Sequence, residues 1–264
     1  MIPEAQDFLQ ESNALYSLLE PLGDKDLNQI TQFRYWTISD VIQHLLVWNR
    51  VAYLSLSDED LAISILQRVM AQEFNFRALE NELLDGLQGR ELIQTWQKNY
   101  TLITEGFASA DPKRRLKWAG PSMSARSSVS ARLMETWAHG QEIYDILAVK
   151  RVDTDRILSI AHLGVNTFGW TYSNRGQEIP AQRPNIELIA PSGDHWTWSE
   201  TDSDNNIFGN AVDFCQVVTQ TRNIHDTNLK VEGDVAKEWM ATAQCFAGDA
   251  TDPPAPGSRY RLTI

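Results

Sequence analysis

Hydrophobic positions recur with helical spacing through the first two thirds of the chain. Four segments combine an apolar stripe with a polar face: 3–22, 37–56, 89–110 and 120–149. The second opens with Thr37 as an N-cap and Asp40 three residues later, where a capping box places its acid. Pro121 is predicted near the first turn of the last. Four long amphipathic helices predict a helical bundle, to which residues 154–176 add one further helix.

The pattern changes after Gly176. The segment "QEIPAQRP" is typical of a linker, and residues 185–200 alternate about a Ser-Gly-Asp turn, which predicts a β-hairpin. A helix over 211–222, a strand over 227–233 and a helix over 236–248 follow. We therefore predict a two-domain α+β protein. Residues 1–180 would form the helical bundle, and residues 181–264 a small α+β domain with a Pro-rich tail.

Composition narrows the classes of partner and location. The chain has 264 residues, 42% of them hydrophobic, with a net charge of −12. Such an acidic surface repels polyanions, which argues against nucleic acid. No stretch has the roughly 18 apolar residues of a membrane span, and "MIPEAQDFLQ" lacks the features of a signal peptide. We expect a cytoplasmic monomer or homodimer that acts on a small molecule, with Cys215 and Cys245 as buried thiols.

The stretch "ARLMETWAHGQE" carries the candidate chemistry. Glu135, His139 and Glu142 fall within roughly a 60° arc of one helix face. On the second long helix, His44 shares the apolar, core-facing stripe with Val41. If these helices pack together, His44, Glu135 and His139 form a set that can bind Zn²⁺ or another divalent metal and leave one position open. The alternative is a core histidine, His44, hydrogen-bonded to Glu135, with His139 at the rim.

Two of these segments resemble a known family. "YWTISDVIQHL" and "ARLMETWAHGQEIYDIL" are similar to the second-helix and fourth-helix motifs of DinB-like, mycothiol-dependent maleylpyruvate isomerase-type proteins. The likeness extends through "SGDHWTW" and "GNAVDFCQVVTQTR" to "VEGD". It implies a DinB-like four-helix bundle that holds a metal, usually zinc, through His44, Glu135 and His139. It also implies a C-terminal domain similar to sterol-carrier proteins, closing over the metal.

The resemblance also suggests roles for two further residues. Arg222 looks like the arginine of the second domain that works at the isomerase active site, where it would clamp an anion; its alternative is a solvated arginine at a helix end. Glu142 stands where an aspartate is expected. It would accept a hydrogen bond from His139 or face solvent. The chain departs from the family at Tyr35, which replaces the glycine before Trp36.

The function that follows is thiol-dependent chemistry. A divalent metal, zinc by expectation, would bind mycothiol, bacillithiol or glutathione and lower the pKa of the thiol, and the thiolate would add to an electrophilic small molecule. Reversible addition would make the protein an isomerase, and irreversible addition an S-transferase. Two alternatives stay open: a hydrolase or lyase that uses metal-bound hydroxide without a thiol, and a non-catalytic protein that binds a small molecule or lipid.

Overall fold

A computed structural model describes residues 1–71, 76–118, 122–199 and 203–263. The chain divides into two compact units, Met1–Ile146 and Leu147–Ile264. In the residues that the structure describes, the first unit is mainly helical and includes a short pair of antiparallel strands, and the second unit combines a four-stranded sheet with helices. The predicted α+β class is therefore confirmed.

The first unit contains seven helices and two short strands in its described part. These elements are α1 (Glu4–Leu19), α2 (Asp24–Leu27), α3 (Ile38–Ser57), α4 (Glu59–Ala71), α5 (Phe76–Leu84), α6 (Gly89–Ser109), β1 (Arg115–Leu116), β2 (Met123–Ser124) and α7 (Ala125–Ile146). The four long helices α1, α3, α6 and α7 pack against one another. Large side chains such as Phe8, Trp96, Tyr100 and Trp137 fill the space between them and are fully buried.

Local sequence explains where α3 begins. The Thr37 hydroxyl accepts a hydrogen bond from the backbone N–H of Asp40, and the Asp40 carboxylate accepts one from the backbone N–H of Thr37. This capping box satisfies two amide groups that a helix start leaves without partners. It confirms the prediction and fixes the first turn of the helix that carries His44.

The second unit contains four helices, two 3₁₀ turns and four strands in its described part. The elements are a 3₁₀ turn (Asp155–Ile157), α8 (Leu158–Asn166), α9 (Phe168–Ser173), β3 (Asn185–Ile189), β4 (His195–Trp198), β5 (Asn206–Asn210), α10 (Ala211–Val218), a second 3₁₀ turn (Ile224–Asp226), β6 (Lys230–Glu232) and α11 (Asp234–Thr242). The strand order is β4-β3-β5-β6. The predicted hairpin is the antiparallel pair β3–β4, and β5 pairs with β3 in parallel.

One face of this sheet supplies the core of the second unit. Ile186, Leu188 and Ile207 are buried at alternate positions, as the two-residue period of a strand requires. Helix α8 packs closely on α10 at Gly164, where a Cβ would lie only 2.8 Å from a methyl group of Val218. Cys215 and Cys245 are both buried, which confirms their prediction as buried thiols.

The division between the units differs from the predicted boundary at residue 180. Helices α8 and α9 belong to the second unit because they pack on α10 and α11. The Trp170 indole N–H, for example, donates a hydrogen bond to the carbonyl oxygen of Phe246. The single helix predicted over 154–176 is a 3₁₀ turn followed by two helices that meet at Thr167.

Other elements also depart from the predictions. Helices α4 and α5 and strand β5 were not predicted, and the fourth long helix begins at Ala125, after strand β2. Pro121, predicted near its first turn, lies outside the described residues. Within the described ranges, none of the helices combines the length and apolar character needed to cross a membrane.

Candidate metal centre

Helices α3 and α7 bring three potential metal ligands together. His44 comes from α3, and Glu135 and His139 come from successive turns of α7. The Oε2 atom of Glu135 lies 3.8 Å from Nε2 of His44 and 3.3 Å from Nε2 of His139. One ligand atom from each residue lies within 4.8 Å of the other two. The structure thus places at one point the three residues that the helical pattern suggested.

The three side chains are held largely out of solvent. Their exposed fractions are 13% for His44, 18% for Glu135 and 12% for His139. His139 is therefore as enclosed as His44 and does not sit at an exposed rim. Each of the three side chains keeps a small solvent-accessible surface.

The charges in the cluster are strongly coupled. Burial alone would raise the pKa of Glu135, but hydrogen bonds with His139 and His44 and the charge of Arg132 outweigh it and hold that pKa well below 4.5. Burial likewise opposes charge on His44, yet Glu135 and Glu80 outweigh it and raise its pKa above 6.5. For His139, burial lowers the pKa, and the nearby His44 lowers it further against the attraction of Glu135.

Aromatic rings enclose the histidines. The indole of Trp36 stacks on the His139 ring with an interplanar angle of 11° and centroids 6.0 Å apart. Phe33 meets the same imidazole edge-on at 5.1 Å, and Trp36 also contacts His44 at 5.2 Å. These rings limit the rotation of both imidazoles. They also give the cluster an apolar wall against which an organic ligand could pack.

A buried cation adjoins the cluster. Arg132 lies one turn before Glu135 on α7, only 4% exposed, with Nη2 3.9 Å from Oε1 of Glu135. Its guanidinium lies over the Trp118 ring at 5.1 Å. Arg132 is part of the sequence motif "ARLMETWAHGQE", but the sequence alone did not indicate a role for it. Its positive charge helps to keep Glu135 ionised.

The principal residue that the sequence analysis missed is Glu80 on α5. Its carboxylate is fully buried and lies 2.6 Å from Nδ1 of His44, much closer than Glu135 lies to the same ring. The alternative gave Glu135 as the hydrogen-bond partner of a core His44, whereas the nearer carboxylate is that of Glu80. One feature of the sequence could have indicated a buried Glu80. It lies beside Leu79 and four residues before Leu84, on the apolar face of a short helix.

The other two candidate residues, Glu142 and Arg222, belong to different units. Glu142 follows His139 by one turn of α7 and is buried, so it does not face solvent. Arg222 lies in the second unit, after α10, where it is 9% exposed and its Nη1 donates a hydrogen bond to the carbonyl oxygen of Thr221. Arg222 is therefore not the solvated helix-end arginine of the alternative. The roles of Glu142 beside His139 and of Arg222 as an anion clamp stay predictions.

The donor set fits a divalent metal of intermediate softness. Two imidazole nitrogens and one carboxylate oxygen match the ligands of open mononuclear sites, which reserve a further position for a reactant. Both histidines direct Nε2 at the same carboxylate oxygen, so the three donors converge. Fold and cluster together define a class: an α+β protein whose helical unit carries a candidate mononuclear metal centre.

Comparison with known proteins identifies the family. Residues 8–144 match the model of the mycothiol maleylpyruvate isomerase N-terminal domain. The chain belongs to this family, which confirms the resemblance seen in the α3 and α7 motifs. The matched range spans most of the helical unit and includes all three potential ligands.

Relatives extend the likeness beyond that range. Two Mycobacterium tuberculosis proteins, uncharacterized proteins MT0041 of strain CDC 1551 and Rv0036c of strain H37Rv, are each 36% identical over 255 residues, covering 97% of this chain and 98% of theirs. The crystal structure of the mycothiol-dependent maleylpyruvate isomerase is similar in fold, with a TM-score of 0.51 and 13% identity over 81% of this chain and 87% of that one.

Proposed function

We propose that this protein is a metal-dependent enzyme that uses a low-molecular-weight thiol either to isomerise a small electrophilic molecule or, as an S-transferase, to add the intact thiol to it irreversibly. The observation that carries the proposal is the convergence of His44, Glu135 and His139 within 4.8 Å of one another. Membership of the mycothiol maleylpyruvate isomerase N-terminal family supports the choice of thiol chemistry and of mycothiol as the first thiol to test.

In this proposal His44, Glu135 and His139 hold the metal, with zinc as the expected ion. When bound, zinc would supply a Lewis acid that lowers the pKa of a coordinated thiol, so that a thiolate nucleophile exists near neutral pH. Glu135 is suited to its part because its carboxylate is held ionised, and an ionised carboxylate is the form that binds a cation. His139 is suited because its lowered pKa keeps the imidazole neutral.

The remaining residues of the helical unit shape the site. Phe33 and Trp36 restrain the imidazoles and exclude water from one side, which strengthens the electrostatic interactions within the cluster. Arg132 places a positive charge beside Glu135. We further propose that Glu142 orients His139 and that Arg222, in a domain similar to sterol-carrier proteins, binds an anionic substrate group. The helical unit would be a DinB-like bundle.

Metal content is the first test. Untagged protein purified without chelator should contain about one equivalent of zinc or another divalent ion, and the Glu135→Ala, His139→Ala double variant should contain none. Protein that stays metal-free after incubation with zinc and dialysis would refute the proposal. That result would leave a non-catalytic binding protein.

A thiol screen then separates the two enzymatic classes. Metal-loaded protein is assayed with maleylpyruvate in the presence of mycothiol, bacillithiol or glutathione, and without a thiol. Turnover that requires a thiol supports the proposal. Turnover of a hydrolysable ester or amide without any thiol would instead favour the metal-hydroxide hydrolase.

A further inference from the structure

Glu80 is a buried carboxylate whose two oxygens both accept hydrogen bonds. Oε1 lies 2.6 Å from Nδ1 of His44 and accepts a hydrogen bond from the Trp48 indole N–H at 2.9 Å. Oε2 accepts one from Nη1 of Arg77 at 2.7 Å. A carboxylate with no exposed surface is costly unless such donors compensate for the lost water, and here three of them do. Glu80 is thus held in one position.

The contact with Glu80 determines which nitrogen of His44 faces the candidate metal centre. An ionised carboxylate only accepts hydrogen bonds, so Nδ1 of His44 must carry the hydrogen that it donates to Glu80. The lone pair of the neutral ring is then on Nε2. Nε2 is also the atom that lies 3.8 Å from Glu135. Glu80 therefore selects both the orientation and the tautomer that a ligand requires.

Glu80 is itself tied to the start of α3. Arg77 bridges the two elements, donating from Nη1 to Glu80 and from Nη2 to Gln43 at 2.9 Å and to the Asp40 carboxylate. Asp40 is the acid of the capping box with Thr37. Helix α5 is thus joined to α3 by charged hydrogen bonds on both sides of His44. This network restrains Glu80 without involving either α7 ligand.

We infer that Glu80, supplied by α5, is a positioning residue that holds His44 with Nε2 directed at Glu135 and His139, ready to bind the metal. The inference rests on the metal role proposed above. Partners of this kind, behind a ligand, change metal affinity by about 10- to 100-fold when they are removed. Loss of the Glu80 carboxylate should weaken zinc binding by a factor in that range.

The test compares zinc affinity in three proteins by competition with a chromophoric chelator. They are the wild-type chain, Glu80→Gln and the matched control Glu82→Gln. Glu82 lies on the same helix, but its side chain is 61% exposed and pairs with Arg68. Both substitutions remove one negative charge from α5, but only Glu80 contacts His44. Glu80→Gln should bind zinc about 10- to 100-fold more weakly, and Glu82→Gln should match the wild type.

Nitrogen-15 NMR of histidine-labelled protein provides a readout that general destabilisation would not produce. In the zinc-loaded wild type, His44 should show a protonated Nδ1 and a metal-bound Nε2, with a His44→Ala variant used to assign the signals. In Glu80→Gln the Nδ1 signal should shift and lose its slow exchange with water, because a neutral carboxamide is a weaker acceptor.

The outcomes separate this inference from the proposed function. A wild-type chain that binds no zinc would overturn both. A wild type that binds zinc, with equal affinity in Glu80→Gln, would overturn the inference alone, as would equal losses in Glu80→Gln and Glu82→Gln. Should Glu80→Gln fail to fold, the wild-type spectrum decides: a metal-bound Nδ1 on His44 would refute the positioning role, and a protonated Nδ1 would support it.

Discussion

Zinc binding is expected to weaken as the pH falls, because one of the three ligands, His44, becomes protonated before the other two. The metal requires the lone pair on Nε2 of His44, and the raised pKa of His44 means that a proton competes for this position at a higher pH than in an ordinary histidine. The other two ligands behave differently. Glu135 is ionised to well below pH 4.5, and His139 stays neutral to below pH 6.5 because its pKa is lowered.

The geometry explains why the His44 proton is held despite burial. A protonated His44 and an ionised Glu135 lie 3.8 Å apart. At an effective dielectric constant of about 20, two unit charges at this distance attract by about 4 kcal/mol. Glu80 adds a second negative charge at 2.6 Å from Nδ1. Zinc must displace this proton, so each pH unit below the pKa of His44 costs about 1.4 kcal/mol, or tenfold in affinity.

The assay is a zinc titration by calorimetry at a series of pH values, in two buffers of different ionisation heat. Over the pH unit below 6.5, the affinity should fall about tenfold, with about one proton released per zinc. Above the raised pKa of His44 the affinity should level off. An affinity independent of pH in this range would refute the argument, and release of two protons would show that His139 is also charged.

Three further predictions concern the stability of the metal-free protein. The pKa of Glu135 is lowered on folding, so its contribution to stability exists above pH 4.5 and is lost as the pH falls through the folded-state pKa. In urea titrations, the difference in unfolding free energy between the wild type and Glu135→Gln should therefore narrow below pH 4.5. A difference that stays constant with pH would contradict this. Thr37→Ala should lower the free energy of unfolding by about 1 kcal/mol, because it removes the α3 cap. The control Thr101→Ala, at an exposed position on α6, should change it by no more than about 0.5 kcal/mol. Equal effects of the two substitutions would show that the cap contributes nothing. Gly233→Ala should lower the free energy of unfolding by more than about 2 kcal/mol, because φ is +85° and the new Cβ would lie 2.3 Å from the Asn205 side-chain oxygen. That oxygen already accepts hydrogen bonds from the backbone N–H groups of Val235 and Ala236. In thermal unfolding, the control Gly176→Ala should show a smaller loss of about 1 kcal/mol, since φ is +66° and nothing lies within 4 Å of its new Cβ.

Features set by neighbouring residues could be predicted from the sequence. The helix over Ile38–Ser57 and its capping box depend on spacings of three and four residues, and the hairpin depends on alternation about one turn. The alignment of Glu135 with His139 is also local, because four residues make about one helical turn. Placing His44 beside them required only the further assumption that α3 and α7 pack together.

Features that depend on distant contacts needed the tertiary structure. The break at Thr167 and the assignment of α8 and α9 to the second unit follow from their packing on α10 and α11. Strand β5 is short and joins the sheet through its pairing with β3 and β6. The contact between Glu80 and His44 joins residues 36 positions apart. The periodicity of a helix shows which face is buried, but not which buried partner a distant side chain meets there.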